Sequence, residues 1–184
     1  YTLVNGYCPK KGCDPSITSD LASTPTYTPL MRYAEVLLSY LESVNESTPQ
    51  AVDQTLLDLT INDVRSRVNL SPIQITDVSS QSLVRDAVRK ERRVELAFEG
   101  FRYFDVLRWG TAMDELNHTF TGVKLSDDPS ARNYRGSGAT ASPVDENMYY
   151  QFEKRTWSSH NRYFPIPQNE LNINKNLKPQ EGYN

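Results

Sequence analysis

Residues 80–110 read SQSLVRDAVRKERRVELAFEGFRYFDVLRWG, from Ser80 to Gly110. Ser80 is a helix-capping residue type, and Val84, Ala87, Val88, Val94 and Phe98 follow it at helical spacing. The spacing predicts a helix from Ser80 to about Glu99. Gly100 then interrupts it as a C-cap or bend. Phe101 to Trp109 continues as a short aromatic segment closed by Gly110.

Two more helices are expected upstream. Leu30, Tyr33, Ala34, Leu37, Leu38, Leu41 and Val44 form an amphipathic stripe, with Thr28 as its cap and Pro29 at the first helical position. That helix covers about residues 30–46 and closes at Ser47-Thr48-Pro49. The next covers about Ala51 to Val68, with Leu57, Ile61, Val64 and Val68 on one face. The link between them is short, so they are expected to pack antiparallel. Helical pairs of this kind suggest a TPR-like arrangement, although no clean TPR consensus is present.

Around this scaffold (28–110) the chain is irregular. Residues 1–27 are rich in Pro, Gly, Ser and Thr and read as turns. Residues 111–162 form a variable loop region, with short strands expected near Thr119–Val123 and Tyr149–Phe152. Residues 163–184 carry Phe164-Pro165-Ile166-Pro167, whose prolines force an extended C-terminal segment.

The chain has 184 residues, 38% of them hydrophobic, which suffices for one domain with a real core. A net charge of −3 gives no case for nucleic acid. No apolar run approaches the roughly 18 residues of a membrane helix. The start at Tyr1, without Met or leader, suits a processed chain or a fragment. Cys8 and Cys13 flank a Pro/Gly turn; a disulfide is the first expectation and two free thiols the alternative. His118 and His160 lack the second close ligand pair of a zinc site, so no metal is expected.

Several clusters admit a chemical reading. Glu91, Glu95 and Glu99 share one helical face, which would suit a cation or acid–base work. The surrounding arginines favour an ion-pair lattice, with partners among Arg89, Arg92, Arg93, Arg102 and Arg108 and further cations from other helices. Glu99 and Asp105 could be the paired carboxylates of a glycoside hydrolase, but they flank a helix bend among bulky aromatics, which favours a capping or core-bracing role, and no nucleophile elbow, phosphate loop or zinc-protease helix occurs. Phe101, Tyr103, Phe104 and Trp109 read as core. Trp157, Tyr149, Tyr150 and Tyr134 sit in polar, loop-rich sequence, where aromatics either anchor the fold or stack on a ligand.

The stretch Val88 to Gly110 closely resembles the signature of the SusD/RagB family. Met31-Arg32-Tyr33-Ala34-Glu35-Val36-Leu37-Leu38 is similar to that family's preceding helix. Tyr163-Phe164-Pro165-Ile166-Pro167-Gln168-Asn169-Glu170-Leu171, with Asn174-Lys175-Asn176-Leu177, is similar to its C-terminal end. The resemblance spans Leu30 to Tyr183; the Cys8–Cys13 turn and the loop from Leu116 to His160 are not part of its motifs. It implies a mostly α fold of TPR-like hairpins with long irregular loops, this chain being the C-terminal part of one SusD-like domain. It implies an outer-membrane, surface-exposed lipoprotein of Bacteroidetes, anchored through an N-terminal cysteine that is neither Cys8 nor Cys13. It further implies binding of oligosaccharides, or peptides in the RagB branch, and delivery to a SusC-like TonB-dependent transporter, without enzymatic activity or cofactor. The alternatives are a helical scaffold that binds only protein partners and, further off, a glycoside hydrolase. No binding residue transfers by motif. On chemistry alone Trp157, Tyr149 and Tyr150 are the stacking candidates, with Asn147, Gln151 and Asn161 as polar partners for sugar hydroxyls.

Overall fold

The structure, a computed structural model, describes residues 11–12, 29–125 and 144–183. Cys8 and Cys13 lie outside the described residues, as do Thr28 and Tyr134. The helices are α1 (Tyr33–Ser47), α2 (Gln54–Leu59), α3 (Ile61–Ser66), α4 (Gln81–Glu95), α5 (Phe101–Arg108), α6 (Ala112–Leu116) and α7 (Gln168–Ile173). Short 3-10 turns occupy Pro49–Ala51 and Ser159–Arg162, and the strands are β1 (Thr119–Lys124) and β2 (Tyr149–Lys154). The chain is thus mostly α, as expected. It divides into two compact units between Phe104 and Asp105.

The first unit is a helical layer around one core. Leu37, Leu38 and Leu41 of α1 meet Leu57 of α2, Ile61 and Val64 of α3, Val84 and Val88 of α4, and Val78. Polar pairs fix the directions. Arg32 bonds Glu95 and Glu99, Arg92 bonds Ser39, and Arg85 bonds Glu46, so α4 runs opposite to α1. Arg65 with Glu91 and Arg67 with Glu95 progress in the same sense, so α3 points along α4 and against α1. The expected antiparallel pairing of the first two helical segments is present.

Helix boundaries depart from the sequence reading for identifiable reasons. The first helix begins at Tyr33, with Arg32 as its extended N-cap, rather than after a Thr28 cap at Pro29. Arg32 is turned toward α4, and Leu30 and Tyr33 lie exposed instead of joining the buried stripe. The expected single helix over Ala51–Val68 is two helices. Asp53 caps the first by accepting from Leu56 N at 2.8 Å. Thr60 divides them at φ −124, ψ −93, and its hydroxyl donates to Leu56 O at 2.5 Å, taking an acceptor from the helical ladder. Val68 falls beyond both helices and is exposed.

After α3 the chain has no regular structure until α4, yet it is held down. Asn62 donates to Ile73 O (2.9 Å) and accepts from Ile73 N (2.7 Å), a side-chain amide acting as a strand partner. Gln54 accepts from Ile75 N at 2.8 Å. These bonds lay Ile73, Ile75 and Val78 against the core.

Ser80 caps α4 as expected, accepting from Leu83 N at 3.3 Å. The helix stops at Glu95, short of the expected Glu99. A continuing helix needs the Glu95 carbonyl for the Glu99 N–H. Here that carbonyl accepts from Lys11 (2.6 Å) and Arg32 (2.9 Å) instead. The chain leaves through Phe98 at φ 65 and Gly100 at φ 84. Val94 and Phe98, expected in the apolar stripe, are 64% and 80% exposed. The buried face of α4 changes character along its length, from Val84 and Val88 to Glu91, Arg92 and Glu95.

In the second unit β1 and β2 pair antiparallel, with Thr119 opposite Lys154 and Lys124 opposite Tyr149. Both were expected, slightly shorter. The Pro165/Pro167 segment is extended as predicted, but only to Pro167. Past the last proline the backbone N–H groups are free to pair, and α7 follows where an extended tail was expected.

Candidate ligand-binding site

Glu91 and Glu95 on α4 and Glu99 in the turn beyond it are set in a network of ion pairs. Glu91 accepts from Arg65 at 2.8 Å. Glu95 accepts from Arg32 at 2.8 Å and from Arg67 at 2.8 and 2.6 Å. Glu99 takes both arms of Arg32, at 2.9 and 2.7 Å, and the ammonium of Lys11. Burial opposes ionisation of Glu99, but hydrogen bonds from Arg32 and Lys11 outweigh it and hold the carboxyl below its ordinary range. The expected lattice exists, and the cations described on Glu91, Glu95 and Glu99 include Arg32, Arg65, Arg67 and Lys11 from outside α4. Of the partners expected close in sequence, Arg108 is seen on Asp105, at 2.9 Å. Arg92 instead turns to Ser39 and Glu42 of α1. Carboxylates saturated by cations in this way are poor proton donors or acceptors. Arg32 also joins two of the three sequence motifs, a contact across more than sixty residues that no local spacing reveals.

The aromatic segment is less buried than expected. Val106 and Asp105 define the inner face of α5, and Phe104, nearly opposite Val106 on the helix, is 60% exposed. Tyr103 meets Phe104 edge-on at 5.8 Å, and the Arg108 guanidinium lies 4.9 Å from the Trp109 ring centre.

Trp157 is half-buried and fixed through its backbone. Asn117 accepts from Trp157 N at 2.5 Å and donates to Trp157 O at 2.8 Å. With Arg155 N donating to His118 O at 3.2 Å, this extends the β1–β2 pairing past the ends of both strands. Tyr149 and Tyr150 sit at the far end of β2. At about 3.3 Å per residue, Tyr149 and Lys154 are roughly 16 Å apart, and Trp157 lies further on. As strand neighbours Tyr149 and Tyr150 also face opposite sides. Tyr149 is 41% exposed and Tyr150 half-buried. The three rings are therefore distributed along a ribbon rather than gathered into one platform. Of the polar candidates, Asn147 is exposed in the turn before β2, Gln151 is half-buried on the strand, and Asn161 accepts from Ser158 N at 2.8 Å.

A cavity of about 490 Å³ lies beyond Trp157, lined by Ser159, His160, Tyr163, Gln180, Glu181 and Gly182. Its walls are the 3-10 turn and the C-terminal segment, laced together. Tyr183 Oη donates to Tyr163 O at 3.0 Å, Asn161 reaches Tyr183 Oη at 3.4 Å, and the rings of His160 and Tyr183 meet edge-on at 5.0 Å. Gly182 adopts φ +88 and presses against His160, where a Cβ would come within 2.6 Å of the imidazole. Gln180 Oε1 is buried without a donor among the described residues. Sequence reasoning missed this cavity, because it joins residues twenty apart; the Gly182-Tyr183 pair was the available signal.

Among the described residues, no three His, Cys, Asp or Glu side chains are grouped to hold a metal, and no helix is long and apolar enough to cross a membrane.

The sequence profile of the SusD family matches residues 2–183. The chain belongs to the SusD family. SusD-like protein P2 of Formosa agariphila is 35% identical over 91 residues, covering 47% of this chain and 17% of that protein. A SusD-like protein of Bacteroides fragilis NCTC 9343 superimposes with TM-score 0.63 at 27% identity, over 86% of this chain and 26% of its own. A second solved structure, of a selenomethionine protein, gives TM-score 0.63 at 25% identity, over 88% of this chain and 25% of its own. The SusD-like chain thus spans between about a sixth and a quarter of these relatives. The TPR-like helical fold is that of SusD-like proteins. At the family level these are nutrient-binding proteins, glycans among the nutrients, and not enzymes.

Proposed function

We propose that this chain is the C-terminal part of a single SusD-like domain in a cell-surface lipoprotein of the outer membrane. That protein captures oligosaccharides or peptides and delivers them to a SusC-like TonB-dependent transporter. The observation that carries the reading is the family match over residues 2–183. The physical features agree with it. The carboxylates most suggestive of catalysis are tied up in ion pairs. The second unit offers aromatic and polar groups on loops and a ribbon, suited to binding without turnover. Trp157 is the side chain in this chain that we assign to ligand stacking, with Tyr149 and Tyr150 as secondary contacts.

The test is a screen of neutral and acidic oligosaccharides and of peptide mixtures against the complete natural polypeptide, repeated with Trp157→Ala. The reading expects saturable binding to at least one class, weakened in the variant, with helical content unchanged. Binding that survives Trp157→Ala moves the site away from this residue. Absence of binding to either class overturns the function.

A further inference from the structure

Helix α1 carries two stripes of different character. Leu37, Leu38, Leu41, Glu42 and Asn45 are buried on its inner side. Tyr33, Val36, Tyr40, Ser43 and Ser47 form a second stripe, at alternating intervals of three and four residues. At about 3.6 residues per turn it lies on the other side of the helix from the buried one. Tyr33, Val36 and Tyr40 are 70%, 47% and 57% exposed, and both serines are exposed. No charged residue stands on this stripe, whereas the outward positions of α4 include Asp86, Lys90 and Arg93, a face suited to water. Both serines turn their hydroxyls back onto the helix: Ser43 Oγ donates to Ser39 O and Ser47 Oγ to Ser43 O, each at 2.8 Å. Their donors are met within the helix, so covering them with apolar groups costs little. Apolar and small residues at intervals of three and four make the kind of seam along which one helix seats on another.

We infer that the outer face of α1 is an internal seam of the complete protein, covered by a helix from the polypeptide that precedes Tyr1. The inference rests on the reading of this chain as the C-terminal part of a SusD-like domain, and adds which surface joins the two parts. The chain spans about a quarter of the two solved relatives it superimposes on, so on that reading most of the domain lies outside it. TPR-like folds stack helical pairs, each burying against the next a face it cannot bury alone. The inner face of α1 already packs on α2, α3 and α4, and the uncharged stripe is the face left for a further layer. Shape sets what the covering helix carries. Tyr33 and Tyr40 call for small side chains opposite them, and Ser43 and Ser47 leave room for larger ones. The tyrosine hydroxyls stand at the ends of long rings and can reach the edge of such a seam, where water or a polar side chain meets them.

The experiment uses the complete natural polypeptide, purified free of membrane partners. Val36→Cys and Ser43→Cys place a thiol on the stripe, and Lys90→Cys places one on the charged face of α4. Each is labelled with a maleimide at neutral pH, the unsubstituted protein being the blank for Cys8 and Cys13. Both stripe variants are expected to label at least about thirtyfold more slowly than Lys90→Cys and to match it in urea, because a thiol inside a packed seam reacts only when the seam opens. Ser43→Cys exchanges oxygen for sulfur, so a poorly folded Val36→Cys does not decide the matter. Photocrosslinking from p-benzoylphenylalanine in place of Tyr40 identifies the neighbour, which is expected to be a segment preceding Tyr1 in the same polypeptide. Stripe thiols that label within about threefold of Lys90→Cys overturn the seam and leave the capture function, read by ligand binding, standing. Protection lost on dilution, or a crosslink between two polypeptides, overturns the occupant in favour of a second copy. A crosslink to another part of residues 1–184 overturns it in favour of this chain itself. A natural polypeptide no longer than this chain overturns the seam together with the reading of the chain as part of a larger domain.

Discussion

Arg32→Ala is the substitution that most directly probes how this scaffold is held together. Arg32 makes four hydrogen bonds to α4 and the turn beyond it: two to Glu99, one to the Glu95 carboxylate and one to the Glu95 carbonyl. Removing one partner of a buried ion pair costs about 3–5 kcal/mol when it strands the other charge. Here Glu95 keeps Arg67, Glu99 keeps Lys11, and the Arg32 side chain is itself 26% exposed. The expected loss is therefore lower, about 2–3 kcal/mol. In a chain of this size that lowers Tm by roughly 4–12 °C. Arg85→Ala, which removes a more exposed pair with Glu46, is the control and is expected to cost under about 1 kcal/mol. The pH dependence gives a second readout. Because Glu99 is held below its ordinary range in the folded state, it adds stability above the unfolded value of about 4.3, and that stability is lost as pH falls through the folded value. Arg32→Ala should flatten this acid limb. Urea and thermal unfolding at pH 7 and over about pH 3–5 measure both effects. An Arg32→Ala protein as stable as Arg85→Ala, with an unchanged acid limb, refutes the reasoning.

Three further outcomes are expected. Asn62→Leu removes the amide that pairs with both backbone groups of Ile73 and should cost about 2–3 kcal/mol in urea unfolding, through groups left unpaired; a loss below about 0.5 kcal/mol contradicts the pinning role. Gly182→Ala places a methyl against His160 at a positive φ, so the C-terminal segment should come loose and expose Tyr183 to limited proteolysis, while far-UV helicity stays constant. Cys8 and Cys13 are expected to be bonded, seen as a two-dalton gain in intact mass on reduction; an unchanged mass means free thiols.

The sequence made the helix centres legible and their ends much less so. Leu37, Leu38, Leu41, Ile61, Val64, Val84 and Val88 stand in the core because three- and four-residue spacing is a local property of the chain. The ends depend on distant partners. The α4 helix stops at Glu95 because Lys11 and Arg32 occupy a carbonyl, and neither is near it in sequence. Phe98 looked like a core residue by spacing, and the positive φ that follows the helix end turns it outward. Thr60 carried a readable signal, a hydroxyl able to bond the backbone four residues back, which the apolar stripe obscured. The ion-pair lattice was foreseeable as charge density but not as a set of partners. At the site, β2 lies where a short strand was expected, and Trp157, expected in a loop, is held beyond the strand end by Asn117, whereas the cavity depends on a tail folding back onto a turn.

The central claim is that this chain belongs to a protein that captures a nutrient and hands it on unchanged. The most direct measurement incubates the complete natural polypeptide with an oligosaccharide or peptide found to bind it, then recovers and weighs that molecule by mass spectrometry. The account predicts saturable binding and recovery of the ligand intact after prolonged incubation. Cleavage of the ligand in proportion to protein, abolished by Glu95→Gln or Glu99→Gln, contradicts it and returns these carboxylates to a catalytic role.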